Sequence, residues 1–190
     1  MKILLASNSP RRRELLGLLD VDYTIIEPRE IDEIYPDELP AHEVAPFLSA
    51  LKASAYAGVP KDDEVILTAD TVVICGGAIL GKPHDRAAAI EMLKMLSGRT
   101  HHVVTGVTLM SAERQMTFSE TTSVEFGRLS NEEIVRYVDT YKPFDKAGAY
   151  GIQEWIGCIG IKGIHGCFYN VMGLPLHKLY QSLSEFNLPK

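Results

Sequence analysis

At 190 residues the chain can bury a substantial core within one domain, and with 46% hydrophobic and 23% charged residues it has neither a disordered nor a collagenous composition. A formal charge of −6 excludes the broad basic footprint of a nucleic-acid binder. No apolar run approaches the roughly 20 residues that span a bilayer and no signal-peptide pattern opens the chain, so a cytoplasmic protein with neither a nucleic-acid nor a membrane partner is expected.

Ile3-Leu4-Leu5-Ala6 reads as a buried strand that feeds Ser7-Asn8-Ser9-Pro10-Arg11-Arg12-Arg13-Glu14. Ser9 suits an N-cap and Pro10 a first helical position, so a helix should follow with Leu15, Leu16 and Leu19 facing inward. Hydroxyls, unpaired N–H groups, the positive end of the dipole and first-turn arginines together suit an anion such as a triphosphate. The competing reading is an ordinary strand-to-helix turn with solvated arginines. Tyr23 to Ile26 is a short strand, and the acidic stretch from Glu27 to Glu43 is a solvated loop from which one carboxylate can face a metal.

Val44, Phe47, Leu48 and Leu51 keep helical spacing toward Lys52, with Pro46 obscuring where that helix starts. Glu64 to Ile74 is a long strand that turns at Gly76-Gly77 into Ile79-Leu80, a hairpin. Asp85 caps a helix carrying Ile90, Met92, Leu93 and Leu96, which Ser97-Gly98 stops. Val103 to Met110 and Met116 to Phe126 form a second hairpin around Ser111 to Arg114. Ser130 and Glu133 make a capping box before Ile134, Tyr137 and Val138, and a last helix starts at Pro175 with Leu176, Leu179, Tyr180 and Leu183. Strands and helices alternate without linker or repeat, so a single α/β domain over residues 1–190 with a bent mixed sheet is expected. Cys75, Cys158 and Cys167 are odd in number and lack CxxC spacing, which argues for buried thiols and against a zinc site.

Three polar groups fall at element ends. Asp70 interrupts the apolar run Val65 to Ile74; a structural acid there would need a buried partner, whereas a functional one can ligate a divalent ion or accept a proton from water. Lys82, in Gly81-Lys82-Pro83, offers a point charge to phosphate without the spacing of a P-loop. Asp145 to Gln153 combines charges, glycines and an amide, a pattern that a plain glycine-rich turn would also give. Trp155 reads as packing in preference to base stacking, and His101 and His102 as structural or exposed residues, since no HxxxH or HExxH spacing accompanies them.

In order along the chain, Ala6 to Arg12, Asp32-Glu33, Lys52-Ala53, Ala69-Asp70-Thr71, Gly81 to Pro83, Ser97 to His101, Asp145 to Tyr150 and Asn170 to Pro175 resemble the Maf family of nucleoside-triphosphate pyrophosphatases. The resemblance implies an elongated α/β fold of the Maf/ITPase type, with a mixed sheet flanked by helices and two lobes around a central cleft. It also implies metal-assisted hydrolysis of a nucleoside triphosphate between the α and β phosphates. Asp70 matches the family's proton acceptor. Arg11, Thr71 and Gln153 match the positions that separate branches, and the combination resembles the dTTP/UTP branch more than the 7-methyl-GTP branch.

On that footing Ser7, Arg12, Lys52 and Lys82 are the expected substrate-binding residues. Glu33 and Asp70 are the expected carboxylates for Mg2+ or Mn2+, with Asp70 ligating the ion, activating water or both. Homodimerisation is left open. Cys167 and Glu154-Trp155-Ile156 depart from the family pattern, the first replacing a serine and the second a smaller, more glycine-rich segment. A non-catalytic nucleotide-binding regulator linked to cell division would need the same cradle without the base; Asp70 beside the two lysines favours the enzyme.

Overall fold

Alternating β-branched and aliphatic residues give the described residues seven strands: β1 (Lys2–Ala6), β2 (Tyr23–Ile26), β3 (Glu64–Cys75), β4 (Ala78–Leu80), β5 (Thr100–Met110), β6 (Gln115–Phe126) and β7 (Ile161–His165). In the computed structural model, which describes residues 2–186, they form one sheet in the order β2-β1-β3-β5-β6-β7, with β4 paired to β3. β1 is parallel to both β2 and β3, while β3–β4 and β6–β7 are antiparallel, so the sheet is mixed as the hairpins and crossovers predict. Among the described residues no helix is long and apolar enough to cross a membrane.

The chain divides into two compact units, with β3, β5 and β6 each contributing residues to both. The first holds the described residues up to Asp70, Thr105–Glu120 and the described residues from Gly173 onward. Its helix α1 (Pro10–Gly17) starts as the sequence dictates: Ser9 is the N-cap, its hydroxyl accepting the Arg12 N–H at 3.4 Å, and Pro10 fills the first turn. Leu15 and Leu16 are buried. The helix ends at Gly17, so Leu19 lies beyond it and is only half-buried.

Helix α2 (Ala41–Ser54) begins five residues before Pro46 and runs through it. A proline inside a helix removes one hydrogen bond and crowds the preceding turn. Here the helix seats so closely on β5 that a Cβ at Gly106 would collide with the Pro46 nitrogen and the Ala45 carbonyl. Buried hydroxyls reinforce the seat: Ser49 Oγ lies 2.9 Å from Thr108 Oγ1, and Thr68 Oγ1 donates to the Ser49 carbonyl at 2.7 Å. Lys52, one turn beyond Ser49, inherits this fixed backbone. Helix α7 (Leu176–Glu185) buries Leu176, Leu179 and Leu183 and leaves Tyr180 exposed.

The second unit holds Thr71–Val104 and Thr121–Met172. Asp85 caps helix α3 (Arg86–Leu96), and Ser130 and Glu133 close a reciprocal capping box on α4 (Asn131–Tyr141). Val73, Leu93, Val103, Phe126 and Tyr137 belong to one buried cluster. After Gly151 come three short elements that periodicity does not reveal: α5 (Trp155–Gly160), β7, and α6 (Phe168–Met172). Trp155 packs against this core with the Arg136 guanidinium 4.8 Å over its ring, in keeping with the packing reading. The expectation of three buried thiols is corrected: Cys75 is buried, Cys167 is partly covered and Cys158 is exposed, because α5 presents that face outward.

Candidate active site

Of the six expected residues in the first unit, α1, the loop before α2, α2 and β3 bring four together: Arg12, Glu33, Lys52 and Asp70. Lys52 Nζ lies 2.5 Å from Asp70 Oδ1 and 3.1 Å from Glu33 Oε1. Asp70 is largely buried, Lys52 is mostly buried and Glu33 is half-exposed on an irregular loop. Lys52 thus provides the partner that a buried carboxylate requires. Only one Asp70 oxygen is engaged; among the described residues Oδ2 has no hydrogen-bond partner.

Arg12 holds the middle stretch of β3 that carries Asp70. Its Nε–H donates to the Gly173 carbonyl and an Nη1–H to the Ala69 carbonyl, both at 2.8 Å. Burial pulls the Arg12 guanidinium below its usual pKa, opposed by the negative charges of Asp70 and Glu33 and reinforced by the positive charge of Arg11. Arg12 therefore sits in the field of both carboxylates while two of its N–H groups serve the main chain. Arg13, to which sequence reasoning gave no separate role, forks onto the Ser7 carbonyl from Nε and Nη2 at 3.3 and 3.2 Å. Ser7 is buried, and its Oγ accepts the Ser9 N–H at 3.2 Å, so the turn is rigid before any anion arrives. Arg11, partly exposed, follows Pro10 in the same turn.

The remaining expected residues lie in the second unit. Thr71 follows Asp70 in β3 and is partly exposed. Lys82 is exposed just after β4, where the preceding Gly81 carbonyl accepts the Gly148 N–H at 3.1 Å. Gly148 adopts φ +68°, and a Cβ there would press on Val73 at 3.0 Å, which explains the glycine in this loop. Gln153 is exposed at the edge of a groove of about 580 Å3 also lined by Cys158, Ile161, Lys162 and Phe168.

Sequence reasoning missed a second ionic group in this unit. Lys146 Nζ lies 2.8 Å from Asp145 Oδ1 and 3.2 Å from Glu154 Oε1. The signal was a lysine in a glycine-rich loop; its partner eight residues on lies beyond any local rule. His101 is fully buried, its Nε2 2.7 Å from Tyr150 Oη and its ring against Phe126 and Tyr150, and burial lowers its pKa to about 4. His102 is exposed. Neither histidine joins a metal-ligand cluster: among the described residues no three His, Cys, Asp or Glu side chains form one.

Fold and site together define a mixed α/β protein with an acid–lysine–acid cluster beside a helix-opening turn. The chain belongs to the Maf-like protein family, whose pattern matches residues 2–186. It is 52% identical to a dTTP/UTP pyrophosphatase of Bacteroides thetaiotaomicron over 97% of this chain and 95% of the relative, and 51% identical to one of Porphyromonas gingivalis over 97% and 94%. Among solved structures it is similar to a HAM1 protein from Coxiella burnetii, with a TM-score of 0.52 at 17% identity over 97% of this chain and 99% of that one, a likeness of fold.

Proposed function

We propose that the protein hydrolyses dTTP and UTP to the nucleoside monophosphate and pyrophosphate, with Asp70 as the proton acceptor. The carrying observation is the Glu33–Lys52–Asp70 cluster, in which a largely buried carboxylate keeps one oxygen without a hydrogen-bond partner among the described residues. The names of relatives near half identity support the substrate class, and Arg11, Thr71 and Gln153 support the branch.

In this reading Asp70 Oδ2 takes the proton of a water whose oxygen adds to phosphorus at the α–β anhydride. The bond to the bridging oxygen breaks and pyrophosphate leaves. Lys52 fixes Asp70 through Oδ1, so that Oδ2 faces its task without rotamer search. Arg12 holds Ala69 and with it the position of Asp70, and contributes positive charge where phosphoryl oxygens become more negative. Ser7 and the turn it rigidifies orient the triphosphate, and Lys82 neutralises it as a point charge.

Glu33 and Asp70 suit a divalent ion of the Mg2+ or Mn2+ type, which is held by one or two carboxylates, water and substrate phosphates and needs no all-protein cage. Such an ion supplies charge neutralisation to the triphosphate when bound.

The test is product identity across a nucleotide panel. Pyrophosphate release led by dTTP and UTP is expected, and Asp70→Asn should abolish most of it. Orthophosphate with a nucleoside diphosphate would overturn the bond assignment. A preference for 7-methyl-GTP would overturn the branch, and binding without Asp70-dependent release would favour the regulator.

A further inference from the structure

Gln153 is third in the four-residue turn Gly151-Ile152-Gln153-Glu154, closed by a 3.0 Å bond from the Glu154 N–H to the Gly151 carbonyl. Both ends of this turn meet one phenol. Tyr137 Oη, from α4, accepts the Gly151 N–H at 3.0 Å and donates its own proton to Glu154 Oε2. The other Glu154 oxygen pairs with Lys146 Nζ. The carboxylate packs directly on the turn, since a Cβ at Gly151 would lie 2.8 Å from its carboxyl carbon. Burial, and then the bond to Glu154, raise the Tyr137 pKa above the usual phenol range, so the hydroxyl stays a donor.

Between these fixed ends Ile152 is anchored in the core and the Gln153 side chain is exposed along the groove with Ile161 and Phe168. An apolar wall, an aromatic ring and one neutral amide are the chemistry that receives a flat heterocycle and reads its edge. The ring of residue 137 is fully buried among apolar neighbours, and a phenylalanine would fill the same space. What tyrosine adds is the oxygen, and among the described residues that oxygen is engaged only with the turn that carries Gln153.

We infer that Tyr137 is a positioning residue for base selection, its hydroxyl stapling Gly151 to Glu154 so that the Gln153 amide meets the pyrimidine edge in one orientation. This rests on the reading of Gln153 as the base-contacting amide. Without the staple the Gly151 N–H and the Glu154 carboxylate lose their shared partner, and the turn can settle in more than one arrangement. The penalty then falls on substrates recognised through the amide and spares the phosphate chemistry.

The experiment compares kcat/KM for dTTP, UTP and ATP in the wild type, Gln153→Ala, Tyr137→Phe and the double variant. Tyr137→Phe should lower dTTP and UTP relative to ATP by about threefold to tenfold, the worth of one hydrogen bond. The double variant should rank substrates as Gln153→Ala does, because the hydroxyl acts through the amide. Glu154→Ala cuts the other arm of the staple, should shift the ranking in the same direction, and carries the test should Tyr137→Phe fold poorly. Equal losses on all three nucleotides in Tyr137→Phe and Glu154→Ala, alongside a Gln153→Ala that does change the ranking, would leave the Gln153 reading intact and overturn the positioning role. Additive shifts in the double variant would also overturn it. An unchanged ranking in Gln153→Ala itself would remove the base-contacting reading, and the inference with it.

Discussion

Lys52 and Lys146 each bridge two carboxylates at ion-pair distance, yet the two triads are finished differently. Around Lys146 both oxygens of Glu154 are engaged, one with the lysine and the other with the Tyr137 hydroxyl, and the lysine is 10% exposed. Around Lys52 one oxygen stays open: among the described residues Asp70 uses only Oδ1, and Glu33 is 51% exposed on a loop without regular structure. Ion pairing alone therefore does not separate a structural cluster from a chemical one. The separating property is an oxygen with no hydrogen-bond partner among the described residues, on a carboxylate held by its lysine, which Asp70 has and Glu154 does not.

The sharpest way to break this comparison is to remove charge from each acid in turn. Asp70→Asn keeps a carbonyl oxygen for Lys52 but removes the base, so kcat should fall about 10²–10⁴-fold with the fold retained. Steady-state pyrophosphate release and circular dichroism check it, and near-wild-type kcat would end the assignment. Lys146→Met should do the reverse. It leaves the Glu154 carboxylate largely buried without its counter-charge, a change that costs about 3–5 kcal/mol of stability. Urea unfolding reads this directly, and a loss under 1 kcal/mol would mean that the second triad is as dispensable as a surface pair.

Both triads were hard to see in the sequence, for the same reason. What was legible is what is local. The Ser9 cap with Pro10, the Asp85 cap, the Ser130/Glu133 box and the Gly76-Gly77 and Ser111 to Arg114 turns all have their partners within about four residues. Strands β1 to β6 followed from apolar and β-branched runs. Asp70 was conspicuous as a carboxylate in an apolar strand, but its partner Lys52 lies on another element, and nothing local says that Arg12 donates to carbonyls at Ala69 and Gly173. The α5–β7–α6 segment was missed because a six-residue helix rich in glycine shows no amphipathic period, and with it went the exposure of Cys158. Pro46 hid the start of α2, which tertiary contact with Gly106 decides.

A pH titration sharpens the contrast from the side of the core. His101 packs against Tyr150 and Phe126, and its Nδ1 is buried with no hydrogen-bond partner among the described residues, so a proton finds no acceptor there. Burial, and then the neighbouring His102, lower its pKa from 6.5 to about 4. Between those values the unfolded chain binds a proton that the folded one refuses. Stability is therefore full above about pH 6.5 and should fall by about 3 kcal/mol as pH drops to about 4, with no further loss from this group below that. Denaturant midpoints for the wild type and His101→Gln should converge toward low pH. Parallel profiles through the window would show that His101 does not set the slope.

The smallest stability effect belongs to Glu33, and its smallness is the point. Its pair with Lys52 is half-exposed and on a loop, so water screens the attraction and the side chain loses entropy in making it; pairs of this kind are worth about 0–1 kcal/mol. Lys52 keeps Asp70 when Glu33 is lost, so no buried charge is abandoned. Glu33→Gln should therefore shift the unfolding midpoint by less than about 1 kcal/mol. It should nonetheless raise the divalent-ion concentration needed for half-maximal turnover, because an amide oxygen is a weaker ligand for a hard cation than a carboxylate. A destabilisation as large as that of Lys146→Met would place Glu33 among the closed, structural acids. An unchanged cation requirement would remove it from the metal side of the site and leave Asp70 as the cluster's one functional carboxylate.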